Sequence, residues 1–299
     1  MKILITGAAG WIARSLTAQL EKDHELVLVD RVAPEDATIF APHKGGRISM
    51  PLVTKWPYIQ AAITDETAMR PACEGVDAIV HLAAGVEGLP EIGRATMEAN
   101  VMGTFVVLDA ARLAGVKRVV AASSINTFGT FYWRISGKPV VYDKLPLTEA
   151  FPPEPEDPYS LSKLCGEMAC DAFTRAYGIK TASLRFGPVW SSDKYDEVMR
   201  EGLPPTTSWA DDLMSWVHAN DIATGIRQAV EAPELPASGA YTLTGPDTRC
   251  PEPTMEIIER LRPDLLPTLT EPLVGRAPLV STARAKAAFG YDPQYRLGP

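Results

Sequence analysis

With 299 residues, the chain is long enough for one large α/β unit carrying a smaller lobe, and its 46% hydrophobic and 22% charged content is ordinary for a globular protein in water. A formal net charge of −8 and the lack of any Lys/Arg run exclude a nucleic-acid surface. No apolar stretch approaches the ~20 residues that span a bilayer, and the first residues run straight into a glycine turn rather than a signal peptide, so a cytoplasmic protein is expected.

In chain order, residues 2–6 form a short apolar run that breaks at Gly7-Ala8-Ala9-Gly10, and helical periodicity follows over 11–21. A second apolar run, 25–29, ends at Asp30-Arg31, which completes a βαβ unit. Residues 76–84 read as a buried strand, 94–114 as one long helix and 116–122 as the next strand. A helix over 159–177, a strand over 180–185 and a helix over 220–232 continue the alternation. The predicted fold is therefore α/β, a doubly wound parallel sheet of Rossmann type. Proline-rich stretches interrupt it, and the predicted organisation is a dinucleotide-binding domain over 1–186, continued at 216–245. A smaller, sequence-discontinuous substrate lobe takes 187–215 and 246–299.

The cysteines Cys73, Cys165, Cys170 and Cys250 form no Cys-x-x-Cys pair and read as reduced and structural. The four histidines are scattered, with no triad or metal spacing, so no metal is expected. The segment 7–13 spaces its small residues as Gly-x-x-Gly-x-x-Ala: Gly7 and Gly10 for a tight turn and close backbone approach to a pyrophosphate, and Ala13 for close packing of helix on strand, with Gly7, Gly10, Trp11 and Ile12 expected to bind the cofactor. Asp30 ends the second strand, where a carboxylate accepts hydrogen bonds from the adenosine ribose and repels a 2′-phosphate. That favours NAD over NADP, with Arg31 the one opposing feature, either a 2′-phosphate partner or a solvated side chain over the adenine. Tyr159 and Lys163 stand four apart, on one face of their helix. The ammonium is expected to lower the phenol pKa, so that Tyr159 exchanges a proton with a substrate hydroxyl; an ordinary exposed helix face is the plain alternative.

Taken together, Thr6-Gly7-Ala8-Ala9-Gly10-Trp11-Ile12-Ala13, His81-Leu82-Ala83-Ala84, Asn100-Val101-Met102-Gly103-Thr104, Ser123-Ser124 and Tyr159-Ser160-Leu161-Ser162-Lys163 resemble the extended short-chain dehydrogenase/reductase superfamily, the NAD-dependent epimerase/dehydratase family, over roughly residues 1–230. The resemblance implies that Tyr159 is the acid/base, that Lys163 holds the nicotinamide ribose, that Ser124 shares the substrate hydroxyl and that Asn100 supports the site. Leu82, Ala83, Ala84, Phe186 and Val189 then lie beside the cofactor, with Ile63 offering a backbone contact near the adenine. It also implies a homodimer paired through the 94–114 helix and the Tyr159 helix.

Departures narrow the reaction. Ile125-Asn126 stands where sugar-nucleotide dehydratases carry an acidic pair, so water elimination is not expected. Met214 stands where nucleotide-sugar enzymes carry a phosphate-clamping arginine, leaving Arg200, Arg249 or Arg276 as substitutes from other loops. Ala62 replaces an aspartate that often lies near the adenine amine. The segment Met214-Ser215-Trp216, with Ala122-Ser123-Ser124 and Asn126, is similar to the uronate dehydrogenase branch. Arg185 either attracts a substrate carboxylate or pairs with a structural acid. Tyr132, Trp133 and Trp190 either stack on a sugar or pack internally. The expected function is an NAD-dependent oxidoreductase taking a hydride from a hydroxyl carbon of a sugar-like small molecule. The alternatives are a nucleotide-sugar epimerase with retained NAD and a non-catalytic dinucleotide-binding protein.

Overall fold

Along the first strand, Ile3 and Ile5 face one hydrophobic core and Leu4 the other, the period-two pattern of a strand covered on both faces. The computed structural model describes residues 1–41, 46–130, 134–138 and 140–298. Seven strands form one parallel sheet: β1 (Lys2–Thr6), β2 (Glu25–Asp30), β5 (Tyr58–Gln60), β6 (Ala78–His81), β7 (Arg118–Ser124), β8 (Lys180–Phe186) and β11 (Ala240–Leu243). Strands β3 (Thr38–Ala41) and β4 (Gly46–Ser49) pair antiparallel apart from it, and β9 (Val189–Trp190) pairs with β10 (Val217–His218).

The spatial order is β11-β8-β7-β6-β1-β2-β5. The chain winds outward from β1 through β2 to β5 and then returns to β6 on the other side. The carboxyl ends of β1 and β6 thus flank the topological switch point, where sheets of this kind bind ligands. Helices α1 (Trp11–Leu20) and α7 (Ala219–Glu231) cover one face. Helices α2 (Glu66–Ala72), α4 (Gly103–Ala114) and α5 (Pro158–Tyr177) cover the other.

The expected single helix over 94–114 is built in three pieces: α3 (Gly93–Met97), a π-helical turn (Glu98–Met102) and α4. At the junction, a Cβ on Gly103 would lie 2.4 Å from Ile63 Cδ1, so only glycine lets Ile63 pack there. The remaining helices are α6 (Ser192–Glu201), α8 (Thr254–Leu261) and α9 (Ala283–Phe289).

A smaller core gathers Phe128, Leu145, Leu147, Leu213, Ile258, Leu265 and Val280. It draws on residues 125–151 as well as on the later segments assigned to the lobe. Ala285 and Tyr291 return to the main core beside α7, so the tail of 246–299 serves both units. Among the described residues, no helix is long and apolar enough to cross a membrane, and no cluster of His, Cys, Asp and Glu is arranged to hold a metal ion.

Candidate active site

Gly7 ends β1 at φ 72°, a left-handed conformation that glycine adopts without strain. A Cβ there would sit 2.7 Å from the Ala83 nitrogen, so the turn fits only because this residue has no side chain. The first intrahelical bond of α1 runs from the Arg14 amide to the Gly10 carbonyl (3.1 Å), and Gly10 supplies no side-chain cap. The amides of Trp11 and Ile12 are therefore left at a positive helix end.

Asp30 accepts from the Ala9 amide (3.0 Å) and the Val32 amide (3.2 Å), which fixes its carboxylate beside the turn. Arg31 is exposed. Leu82, Ala83 and Ala84 are half-buried after β6. The Ile63 side chain is buried against α4, so only its backbone is free for a ligand. Phe186 closes β8 in the main core, and Val189 pairs with Val217 next to it. An uncapped glycine turn with a carboxylate held at its side fits a dinucleotide: amides for the pyrophosphate, an acceptor for a ribose.

The second group of residues converges from β7 and α5. Asp157 caps α5 by accepting from the Ser160 amide (2.9 Å), and Pro158 occupies the first turn, where its missing N–H costs nothing. This presents Tyr159 toward the end of β7. There Ser124 is hydrogen-bonded to Tyr159 and also accepts from the Asn126 amide (3.1 Å). Lys163 lies one turn on, its Nζ 5.7 Å from the Tyr159 ring centre and donating to the Ala122 carbonyl at 2.8 Å.

The expected lowering of the phenol is not what this geometry gives. Burial pushes Tyr159 up to about 12, with the Ser124 hydrogen bond opposing and Asp157 adding to it. Burial likewise pulls Lys163 down to about 8, against the nearby Glu167. Both side chains are only half-buried, so part of this desolvation is relieved at the open side of the site. Desolvation is the largest influence on both groups, and the ammonium donates to the Ala122 carbonyl.

Asn100 sits in the π turn, whose extra residue rotates it toward the site. Its amide group donates to Ser162 Oγ (2.8 Å) and the Gly85 carbonyl (2.9 Å), and its oxygen accepts from the Gly85 amide (2.7 Å). Ser162 Oγ in turn donates to the Tyr159 carbonyl (2.7 Å), so Asn100 braces the turn of α5 that carries Tyr159.

Sequence reasoning passed over His81, which the structure places in the same network. Thr104 donates to the Asn100 carbonyl (2.6 Å) and so accepts from His81 Nε2 (3.1 Å). Nδ1 then accepts from Thr6 (2.8 Å), whose oxygen accepts from the Ala83 amide (3.3 Å). Donors and acceptors are satisfied by one tautomer of a neutral ring, and burial with the Lys163 charge holds His81 down to about 3. The chain of hydrogen bonds joins β1 to α5. The Thr before the glycine turn and the Ser before Lys163 were its only local signals.

Ser123 donates to Glu167 (2.5 Å). Arg185 pairs with that same carboxylate through Nε (2.9 Å) and Nη2 (2.8 Å) and is buried. Met214 is 3% exposed and packs on Cys250 and Ile257, while Arg249 pairs with Asp212 (2.8 Å), Arg276 with Asp247 (2.6 Å) and Arg200 with Glu201 (3.2 Å). Trp190 packs on Trp216, ring centres 5.1 Å apart. Tyr132 and Trp133 lie outside the described residues.

The parallel sheet, its switch point and the glycine turn define a dinucleotide-binding protein of the Rossmann class. The profile of the NAD dependent epimerase/dehydratase family matches residues 3–243, and the chain belongs to that family. It is an enzyme of the extended short-chain dehydrogenase/reductase type, with NAD as its cofactor. The uronate dehydrogenase of Pseudomonas putida is 30% identical over 186 residues, 62% of this chain but only 60% of that enzyme. The L-arabinose 1-dehydrogenase (NAD(P)(+)) of Haloferax volcanii is 28% identical over 79% of this chain and 85% of its own. A short-chain dehydrogenase/reductase superfamily protein from Agrobacterium tumefaciens, solved with bound NAD, has the same fold, with a TM-score of 0.71 at 22% identity over 99% of this chain and 94% of that one.

Proposed function

We propose that the chain is an NAD-dependent dehydrogenase that oxidises a hydroxyl carbon of a free sugar or sugar acid through Ser124, Tyr159 and Lys163. The observation that carries this reading is the meeting of the Ser124–Tyr159 hydrogen bond with the Lys163 ammonium at the end of β7, on the side of the sheet switch point. A substrate hydroxyl bonded to both Ser124 and Tyr159 is held in one orientation, and Tyr159 takes its proton. NAD, when bound, accepts the hydride. Lys163 supplies positive charge beside the phenol and toward the cofactor ribose, and Asn100 keeps the α5 turn in register.

The free-sugar preference is supported by Met214, which is core, and by Arg200, Arg249 and Arg276, each already paired with an acid. Two of the relatives point the same way, being by name dehydrogenases of a uronate and of L-arabinose. Asp30 favours NAD over NADP by repelling a 2′-phosphate. Residues 187–215 and 246–299, with 125–151, are assigned to the substrate lobe, and the free cysteines suit a reducing, cytoplasmic setting. The chain is further proposed to pair as a homodimer through α4 and α5.

The test is NADH formation from free NAD across a panel of sugars, sugar acids and nucleotide sugars. Tyr159→Phe is expected to cut turnover by about 100-fold or more. Undiminished turnover in that variant would remove Tyr159 from the chemistry. Conversion of a nucleotide sugar with no net NADH would instead identify an epimerase that retains its cofactor.

A further inference from the structure

Lys163 and Glu167 are one turn apart on α5 and wall the same polar cavity of about 10 Å³, room for a single water, together with His81, Asn100 and Ser123. The Glu167 carboxylate is held from two strands at once, by Ser123 Oγ on β7 and by the Arg185 fork on β8. Ser123 lies between Ala122, whose carbonyl receives the Lys163 ammonium, and Ser124, which bonds Tyr159. One carboxylate therefore clamps α5 to the sheet at the single place where both halves of the catalytic pair are anchored.

Around the carboxylate the charges are unequal. Lys163 and Glu167 are the charged groups that wall the cavity, Arg185 adds a second cation paired to the carboxylate from β8, and His81 from β6 is neutral. Tyr159 on α5 is a phenol, and Ser123 from β7 and Asn100 from the π turn carry no charge. The geometry points to Glu167 as a positioning residue that keeps the Lys163 ammonium charged and aimed, a role that rests on the catalytic assignment of Lys163. Arg185 fixes the carboxylate in place and spreads its charge, with the guanidinium 4.6 Å from the Phe128 ring centre. Without the carboxylate, the buried Arg185 guanidinium and the half-buried Lys163 ammonium would lose the one anion near both, and Lys163 is the one able to lose its proton.

Glu167→Gln keeps the volume and a hydrogen-bonding group but removes the charge. An NMR titration of isotope-labelled lysine side chains, with Lys163 assigned through Lys163→Arg, is expected to show the Lys163 midpoint falling by about one pH unit or more. The pH at which oxidation stops rising should fall with it. Arg185→Met removes the neighbouring cation and should leave the midpoint unchanged or higher. An unchanged midpoint in Glu167→Gln overturns the proposal, as does an equal fall in both variants, which would mark a packing effect. If Glu167→Gln does not fold, Arg185→Met is compared with Arg185→Met/Glu167→Gln, and the same fall is required between them. Because the titration needs no substrate, failure to form NADH overturns the dehydrogenase reading and leaves Glu167 to be judged by the NMR alone.

Discussion

At Tyr159 burial outweighs the Ser124 hydrogen bond, and at Lys163 it outweighs the Glu167 charge. On the proposed mechanism, oxidation needs Tyr159 as phenolate and Lys163 as ammonium, and these two states exclude each other over most of the pH range. With Tyr159 up at about 12 and Lys163 down at about 8, the competent fraction grows about tenfold per pH unit below pH 8, because only the phenol is titrating. Above about pH 8 each gain in phenolate is offset by loss of ammonium. The expected kcat/KM for oxidation therefore climbs to about pH 8 and levels off. A flat profile from pH 6 to pH 8, measured with cofactor saturating, would mean that the bound complex holds the phenol ionised already below that range.

The helix that carries the pair begins at Asp157, 2% exposed, which bonds both the amide and the hydroxyl of Ser160. Its charge also pushes Tyr159 upward, so the cap and the chemistry are separable by substitution. Asp157→Ala removes the cap and should lower stability by about 1–2 kcal/mol in a denaturant titration. Asp157→Asn keeps the capping oxygen, costs much less, and should raise oxidation at neutral pH by easing formation of the phenolate. Equal stability losses in the two variants would show that charge, not capping, holds the helix end. The strands and the glycine turn were legible because their signals are local: apolar runs of strand length, a break at Gly7, an acid at Asp30. The π turn was not, since the apolar pattern of 94–114 runs through it without interruption and what stabilises it is the distant bonding of Asn100 to Gly85 and Ser162. His81 was illegible for the same reason, with partners 75 and 23 residues away that only the folded sheet brings together. The Tyr159–Lys163 spacing correctly implied proximity, but no spacing reports the depth of burial that reverses the expected phenol shift.

On the scale of the whole molecule, the unexplained feature is an apolar strip across the helical face opposite α1 and α7. Phe105 and Leu113 on α4, with Leu161, Met168 and Tyr177 on α5, are each more than 40% exposed. Part of the strip is joined through the buried Phe173: Phe105 meets it edge-on at 5.6 Å and Tyr177 lies 5.3 Å from it, with the Arg112 guanidinium 5.1 Å from the Tyr177 ring centre. Apolar surface of this extent on two adjacent helices is costly in water and is relieved when an equivalent face packs against it. A second copy satisfies that by twofold symmetry, each α5 meeting its mate. Light scattering is expected to give about twice the 32.4 kDa of one chain at micromolar concentration. Met168→Arg, at a position 63% exposed and free of the catalytic contacts, should shift the mass toward one chain without unfolding it. A wild-type mass of one chain throughout that range would dismiss the dimer. Because α5 also carries Tyr159, pairing would bury the outer side of the helix whose inner side forms the site. The Met168→Arg monomer should therefore lose thermal stability and some turnover together.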